Sequence, residues 1–466
     1  MTDSFDEPAG KKGCGAPVKS RSDPPPPRQE APSQTLFRRV GGKLVGHRDI
    51  VVGSVSLMGS TLVTSVGGFF FWLVVARTFS PTEMGHATAI VSSVTVLSVL
   101  GVFGLGTMLV GQLAQDRTRI DPLLPAALGV SAVLSAALAT CFALVVASLP
   151  NMGLHHVFGT HWPTYVLFIV GVAVSSWALV LDQASLGVTG GYVQMTRMVR
   201  NTVLVALRIP GVFLLALLVG RTSDTVLIVW ASTVVLSVAI TARPLRRRGV
   251  PSMRLRSPRH LRGLVTQIAH YNTLNMAISI PRLAMPVVVA AFAPGKSTAV
   301  FYVSWMLVGF LYLVPTHLST TLFAVSTRDP ETLRRKVRFT LSVSVVAGCV
   351  GMPLLALLAH PVLSIFRPEY ADFGATTLAI LTLAYVPIVI KQHYAAISRV
   401  RDRVRTAGMV CMIGAIVELV AVATAMKLGG GIDRAATLLC GVLFIEGLIM
   451  LPPVIGILRS NRVSFA

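Results

Sequence analysis

Four polar residues recur at helical spacing within a largely apolar stretch, and the last of them is an arginine. Tyr271, Asn275, Ser279 and Arg282 are separated by four, four and three positions, so they share one face of a helix. The guanidinium of Arg282 offers fork-like donors that match the oxygens of phosphate and carboxylate groups. This stripe predicts a wall that binds an anionic ligand. The alternative is that Arg282 pairs with an acid on another helix and only holds the helices together.

Three acidic residues also lie within apolar stretches, namely Glu418, Glu446 and Asp182. A charged group inside a membrane costs roughly 3 kcal/mol on insertion scales, so each is a candidate functional group. We predict that they form an ion-coupling set that binds a proton or a sodium ion. Glu418 and Glu446 can equally be neutral buried acids, because burial disfavours the charged carboxylate, or counter-ions to Arg282 or Lys391.

The stretches that hold these residues are long enough to cross a bilayer. The mean hydropathy of +0.71, with 53% hydrophobic and 13% charged residues, is typical of a membrane protein and excludes a soluble enzyme. Apolar segments of roughly 20 residues read as transmembrane helices, since they satisfy their own backbone hydrogen bonds. We predict twelve, over 51–76, 87–113, 122–148, 164–190, 203–220, 225–242, 264–293, 299–324, 339–365, 373–393, 406–426 and 435–458.

Most of the 41 lysine and arginine residues fall in the terminal arms and in alternate loops between these segments. The other loops carry only Arg77, Arg221, Lys296, Arg367, Lys427 and Arg434. Short loops rich in basic residues stay cytoplasmic, so we predict a multi-pass plasma-membrane protein with both termini in the cytoplasm. This assignment places Arg208, Lys391 and Arg399 on the cytoplasmic side. It leaves Arg282 as the one basic residue that the topology does not explain.

The composition also bounds the partners and cofactors. The net charge of +22 is spread over the loops, which indicates topology and attraction to anionic membrane lipids; we predict no nucleic-acid partner. The five cysteines lack metal-binding spacing, and we predict no metal site, no cofactor and no disulfide. The loops outside the membrane leave no room for a soluble catalytic domain. We therefore predict no catalytic residues and no enzymatic activity.

The densest basic loop divides the predicted helices into two sets of six. The predicted organisation is a disordered basic cytoplasmic arm over 1–47, an N-terminal six-helix bundle over 48–242, a basic cytoplasmic linker over 243–263, a C-terminal six-helix bundle over 264–458 and a short cytoplasmic tail over 459–466. An offset of 213 positions aligns Phe79-Ser80-Pro81 with Phe292-Ala293-Pro294. The fold class is thus an all-α polytopic membrane protein with a parallel pseudo-two-fold repeat.

Two turns resemble those of a known family. The sequence VARTFSPTEMG over 75–85 resembles the A-R-x-L-(G/S)-P-x-E-(F/Y)-G turn of polysaccharide-unit flippases, which belong to the multidrug/oligosaccharidyl-lipid/polysaccharide (MOP) exporter superfamily. The sequence IFRPEYA over 365–371 is similar to the L-F-G-P-x-Y turn of that family, with Arg367 in place of the usual glycine. The resemblance implies a MOP/MATE-like fold, in which two six-helix bundles surround a central cavity.

The same resemblance implies a function. It implies translocation of a polyprenyl-diphosphate-linked oligosaccharide across the cytoplasmic membrane by alternating access, for cell-surface polysaccharide biosynthesis. Arg282 is then expected to bind the diphosphate. Cytoplasmic glycosyltransferases or a polysaccharide polymerase are possible partners of this flippase, and the chain is expected to be a monomer.

Two other functions remain open on the sequence. One is an ion-coupled multidrug antiporter of the same superfamily, which is expected to offer acids to a cationic drug. The other, less favoured, is a polytopic membrane glycosyltransferase or polymerase. Such an enzyme needs acidic groups outside the membrane, and here those lie only in short loops.

Overall fold

The computed structural model describes residues 48–115, 120–149, 153–158, 162–189, 192–247, 265–326 and 332–459, and these residues form helices and short turns without a strand. The helices are α1 (Arg48–Thr78), α2 (Pro81–Val102), α3 (Leu105–Gln115), α4 (Ile120–Ser148), α5 (Gly153–Phe158), α6 (Trp162–Thr189), α7 (Tyr192–Leu218), α8 (Ser223–Arg247), α9 (Val265–Phe292), α10 (Gly295–Ser326), α11 (Leu333–Leu357), α12 (Ala359–Phe366), α13 (Pro368–Leu383), α14 (Tyr385–Val400), α15 (Val404–Lys427) and α16 (Gly431–Arg459). The predicted arm over 1–47, most of the predicted linker and the tail beyond Arg459 lie outside the described residues.

Twelve spans in the described part of the chain are long and apolar enough to cross a membrane, which confirms the predicted fold class. The first six are α1, α2, α4, α6, α7 and α8, and the second six are α9, α10, α11, α13 continued by α14, α15 and α16. Large apolar side chains such as Leu217, Val346 and Leu448 are exposed on the outside of these spans. Lipid solvates such side chains, so the surface is apolar where a soluble protein would be polar.

One predicted segment is interrupted. The helix α2 begins at Pro81, and Ser80 caps it by accepting a hydrogen bond from the backbone N–H of Glu83 (3.2 Å). The interruption lies at its other end, where Phe103 and Gly104 adopt positive φ values of 37° and 77°. The chain then continues as α3, so the prediction of one helix over 87–113 is wrong at this point. A side chain at Gly104 would also meet Asn272 on α9.

The two halves share several helix pairings. In the first half, α2 packs on α4 and α6, α6 packs on α8, and α7 packs on α8. In the second half, α10 packs on α11 and α14, α14 packs on α16, and α15 packs on α16. Each pairing recurs six spans later with the helices in the same order. The halves contact each other chiefly through α2, which packs against both α9 and α10.

The aligned turns of the predicted repeat occupy matching places and contact each other. Phe79 follows α1 and Phe292 ends α9, and each turn leads into the second span of its half. A Cβ atom built at Gly85 would lie 1.9 Å from the carbonyl oxygen of Gly295, and one built at Gly295 would lie 2.8 Å from that of Thr82. Glycine therefore lets the first turns of α2 and α10 approach backbone to backbone.

The structure corrects the predicted placement of two basic residues. Arg208 lies at the middle of the span Val199–Leu218 and Lys391 lies inside the span Pro368–Val400, whereas Arg399 is the penultimate residue of that second span. The interpretation of Arg282 as the one basic residue inside the membrane is therefore wrong. We name the side of the molecule on which α8 ends and α11 begins the basic face, because the sequence next to these helix ends is rich in arginine. The side on which α1 ends and α10 begins is the opposite face.

Candidate functional site

A cavity of about 670 Å³ lies between the two halves. Helices α1 and α2 line it from the first half, and α9, α10 and α14 line it from the second. Its polar lining consists of Thr61, Ser65, Ser92, Thr95, Asn275, Ser279, Arg282, Tyr302, Thr316, His317, Thr320, Gln392 and Arg399. None of the lining residues in the described part of the chain is aspartate or glutamate. The charged side chains of this wall are therefore basic.

The predicted polar stripe on α9 forms part of this wall. Asn275, Ser279 and Arg282 all line the cavity. Tyr271 belongs to the same helix, but its side chain lies outside the described part of the structure. Arg282 is exposed to the cavity although it stands in the middle of a membrane span. Among the described residues no ion pair joins it to an acid, so its guanidinium can bind an incoming anion.

Two prolines shape the backbone around this arginine. Pro281 and Pro286 both lie inside α9. Proline has no N–H, so Pro286 cannot donate the usual helical hydrogen bond to the carbonyl oxygen four residues earlier, which is that of Arg282. The indole Nε1 of Trp305 on α10 donates to that oxygen instead, at 3.0 Å. The bond fixes the backbone of Arg282 and leaves its side chain directed to the cavity.

A second cation lines the cavity nearer the basic face. Arg399 extends from α14, and its Nη2 donates to Oδ1 of Asn275 at 2.7 Å. Asn275 precedes Arg282 by seven residues, or about 10 Å along the helix axis. The two guanidinium groups therefore mark two levels of one wall. Sequence reasoning placed Arg399 in a loop, although Gln392 and Arg399 lie seven residues apart on one helical face and both line the cavity.

Two arginines join the halves at the opposite face, and together we name them the arginine clasp. Arg77 donates through Nε (2.9 Å) and Nη2 (2.5 Å) to the carbonyl oxygen of Ile365. In return, Arg367 donates through Nε to the carbonyl oxygen of Ala76 (2.6 Å) and through Nη2 to that of Phe79 (2.7 Å). These four crossed hydrogen bonds join the two halves at this face. Arg367 is the residue that departs from the family turn.

Aromatic rings fill the space between the clasp and the cavity. Trp72 and Tyr302, which line the cavity from different halves, have ring centroids 4.9 Å apart. Phe69 of α1 meets Phe366 of α12 at 5.1 Å. Both pairs are edge-on, an arrangement that aromatic quadrupoles favour. The cavity is thus bounded toward the opposite face by a packed apolar layer.

Glu418 and Glu446, both predicted ion-coupling residues, come together away from the cavity. The ammonium group of Lys391 lies 2.5 Å from Oε1 of Glu418 and 2.7 Å from Oε2 of Glu446, and all three side chains are buried. We name this cluster the buried triad; it joins α14, α15 and α16. Of the alternatives that the sequence left open, the geometry matches counter-ions to Lys391.

Asp182, the third predicted ion-coupling residue, lies in the other half. Its carboxylate accepts two hydrogen bonds from Arg200, at 2.5 and 2.9 Å. Arg200 also donates to Oγ1 of Thr241 at 2.6 Å, which ties α6, α7 and α8 together. The structure therefore does not bring Asp182 to Glu418 and Glu446. Its position is that of an ion pair between helices of the first half.

Arg208 is a further cation within a span, and aromatic rings surround it. Its Nε donates to Oγ1 of Thr233 at 2.7 Å. Its guanidinium carbon lies 6.0 Å from the ring centre of Phe71 and 5.7 Å from that of Trp230. Ring faces attract cations, most strongly where water is excluded. This cage explains how a cation can lie at mid-span without an acid beside it among the described residues.

Comparison with solved structures identifies the fold. The chain is similar to the lipid II flippase MurJ in an inward closed conformation, with a TM-score of 0.63 and 14% identity over 86% of this chain and 90% of that one. It is similar to a multidrug resistance MATE family transporter of the MOP superfamily in an inward-facing conformation, with a TM-score of 0.61 and 14% identity over 86% of this chain and 96% of that one.

A third similar structure is a MOP superfamily transporter from Pyrococcus furiosus, characterised by a reverse polarity of its binding pocket that suggests a different function. The TM-score is 0.56, with 14% identity over 88% of this chain and 96% of that one. No protein-family model matches the chain. No curated protein matches it either. At these identities the likeness shows the fold, so the chain has the fold of the MOP transporters.

Proposed function

We propose that the chain is a flippase that translocates a polyprenyl-diphosphate-linked oligosaccharide across the plasma membrane, by alternating access, for cell-surface polysaccharide biosynthesis. The observation that carries the proposal is Arg282, which is exposed to a cavity whose described lining contains no acid. An unpaired guanidinium at mid-span is costly unless it binds something. A diphosphate supplies the oxygens that match its donors.

The size and surroundings of the cavity also support a lipid-linked substrate. A volume of about 670 Å³ suits a headgroup of a few sugar rings, and the hydroxyl and amide groups of Ser92, Thr316 and Gln392 are suited to sugar hydroxyls. The long tail can remain in the bilayer. One similar structure is a lipid II flippase. In this proposal the basic face is cytoplasmic, and the glycosyltransferases that assemble the substrate work there.

A multidrug antiporter is the second candidate, because other similar structures are MATE transporters. A cationic drug needs acids where it binds. The described cavity lining offers Arg282 and Arg399 instead. The two buried carboxylates of the second half, Glu418 and Glu446, are already bonded to Lys391, outside the cavity. The polarity of the cavity therefore favours an anionic substrate.

The test is translocation by the purified chain in proteoliposomes, with a fluorescent polyprenyl-diphosphate oligosaccharide whose exposed label is quenched from outside. We expect Arg282→Ala to lower the rate tenfold or more, since losing a hydrogen bond to a charged group costs about 1.5–3 kcal/mol. Arg434→Ala is the matched control, because that arginine is exposed at the opposite face. Undiminished translocation by the Arg282 variant, or efflux of a cationic drug without movement of the lipid, would overturn the proposal.

A further inference from the structure

The buried triad combines one positive and two negative side chains inside a membrane span. Lys391, Glu418 and Glu446 lie on three different helices and are each at most 6% exposed. The ammonium group contacts one oxygen of each carboxylate. With all three groups ionised, the cluster carries one uncompensated negative charge. A lone charge buried in a medium of low polarity is strongly unfavourable, so the triad needs one more positive charge.

The surrounding groups do not supply that charge. Lys391 and Glu418 are the charged groups that act on Glu446. Among the described residues, the other titratable groups that interact with the triad are a thiol and a phenol, Cys411 on α15 and Tyr312 on α10, which are neutral at ordinary pH. Arg399 faces Cys411, but its guanidinium donates to Asn275 at the cavity wall. In the part of the chain that the structure describes, no group supplies the missing charge, which leaves a bound cation as its source.

The geometry is unsuited to a metal ion. The position between the two carboxylates, where a metal would bridge them, is taken by the ammonium group at 2.5 and 2.7 Å. The remaining Oε1 of Glu446 is buried and lacks a hydrogen-bond partner among the described residues. A Cβ built at Gly414 would lie 2.4 Å from that oxygen, so helix α15 closes over it. Hard metal ions take several oxygen ligands, whereas a proton needs only this one.

We infer that the buried triad is a proton-binding site and that Oε1 of Glu446 carries the proton. The step transfers one H⁺ between water and this carboxylate; an O–H bond forms or breaks, and no electrons are exchanged. Protonated, the triad is neutral, with one ammonium and one carboxylate. When it is deprotonated, the triad has a net negative charge, and both carboxylates attract the ammonium group of Lys391.

The helix that holds Lys391 also lines the cavity, and it links the two sites. Gln392 is the next residue along α14, and Arg399 lies two turns further on; both line the cavity. When Glu446 gains or loses its proton, the electrostatic attraction between Lys391 and the two carboxylates changes. This change acts on α14, the helix that also positions Arg399. The inference rests on the proposed function only for this link, by which proton binding drives translocation. The proton site itself does not depend on the substrate.

The experiment is an infrared pH titration of the full-length chain in lipid nanodiscs, without substrate, following the carbonyl stretch of protonated carboxyl groups. We expect an exchangeable band in the wild type that is absent from both Glu446→Gln and Glu418→Gln, because either change leaves one ammonium balanced by one carboxylate. Glu369→Gln is the matched control, since that carboxylate is half exposed at the opposite face; its band pattern should equal the wild type.

The outcomes separate this inference from the proposed function. A band that survives in either folded triad variant overturns the proton site, and so does a wild-type band that sodium ions abolish at constant pH. Because the two variants report independently, misfolding of one leaves the other as the test. Arg282→Ala should keep the band while it loses translocation. If that variant translocates normally and the band behaves as expected, the proposed function fails and the proton site stands.

Discussion

At the scale of the residue, the proposed function depends on how a guanidinium is kept available within a membrane span. Arg282 lacks an acidic partner among the described residues, and its backbone is fixed by the bond from Trp305 to the carbonyl that Pro286 leaves free. The side chain is therefore held in place by its backbone and not by a counter-ion. That arrangement leaves all five of its N–H donors for a ligand.

We expect binding of a diphosphate to need the planar arrangement of the N–H donors of Arg282 as well as its positive charge. Arg282→Lys keeps the charge but offers a single ammonium point in place of a fork. We expect it to retain measurable translocation that lies between the wild type and Arg282→Ala, with the larger loss appearing as weaker binding of the lipid-linked substrate. Titration of the substrate in the proteoliposome assay checks this. Equal rates for the lysine variant and the wild type would show that charge alone suffices.

The sequence predicted only part of the set of residues that line the cavity or lie within the spans. Spacing on one helix found Asn275, Ser279 and Arg282, which do share a cavity wall. It missed Arg208, which the charge pattern assigned to the cytoplasmic side although it lies at mid-span, and Arg399, which lies at the end of a span and still lines the cavity. What permits them inside the membrane is a bond to Asn275 and a cage of aromatic rings. These partners lie on other helices, so no local pattern reveals them.

At the scale of the element, twelve spans follow directly from length and hydropathy, but their irregularities do not. The break at Phe103 and Gly104 falls inside a continuous apolar run, and it matches the place where α9 approaches through Asn272. The tenth span is also divided, into α13 and α14, but Ala384 between them keeps right-handed helical dihedrals (φ −62°, ψ −14°). The close approach of Asn272 at Gly104 depends on packing against another helix, which hydropathy does not encode.

The contact between the first turns of α2 and α10 gives a prediction at this scale. In Gly85→Ala the new methyl would meet the carbonyl oxygen of Gly295 at 1.9 Å, and backbone cannot yield as a flexible side chain does. We expect a loss of about 1–3 kcal/mol of stability, seen as a lower thermal unfolding midpoint in detergent.

The control for that prediction is Gly171→Ala on α6. A Cβ there meets nothing within 4 Å, and alanine is favoured over glycine inside a helix by roughly 0.5–1 kcal/mol. Its midpoint should equal or exceed that of the wild type. A Gly85 variant as stable as this control would show that the two turns separate readily.

At the scale of the whole molecule, the repeat detected in sequence corresponds to two halves that share several helix pairings. The faint echo of Phe79-Ser80-Pro81 in Phe292-Ala293-Pro294 marks equivalent turns that meet at the opposite face. Sequence could find the echo because both turns must cap a second span. The sequence could not predict the arginine clasp, because Arg77 and Arg367 bond to backbone carbonyl oxygens. Every residue has such an oxygen, so no residue type marks the partner.

The arginine clasp is the feature on which the proposed alternating access is expected to depend. Its crossed bonds join the end of α1 to the turn between α12 and α13, and so connect the first half to the second. Bonds of this charge-assisted kind contribute about 1.5–3 kcal/mol each when lost. Removing Arg77 and Arg367 together is therefore expected to shift the population toward molecules that are open at the opposite face by tenfold or more.

Labelling of a cysteine placed in the cavity measures that shift. With the native cysteines replaced, Thr316→Cys reports access from the opposite face to a membrane-impermeant thiol reagent. We expect Arg77→Ala with Arg367→Gly, the glycine of the family turn, to accelerate labelling from that side tenfold or more. Lys296→Ala is the control, because it removes an exposed ion pair with Glu369 within the second half only. Equal labelling rates in the clasp variant and this control would mean that the aromatic layer of Trp72, Tyr302, Phe69 and Phe366 alone holds the halves together at this face.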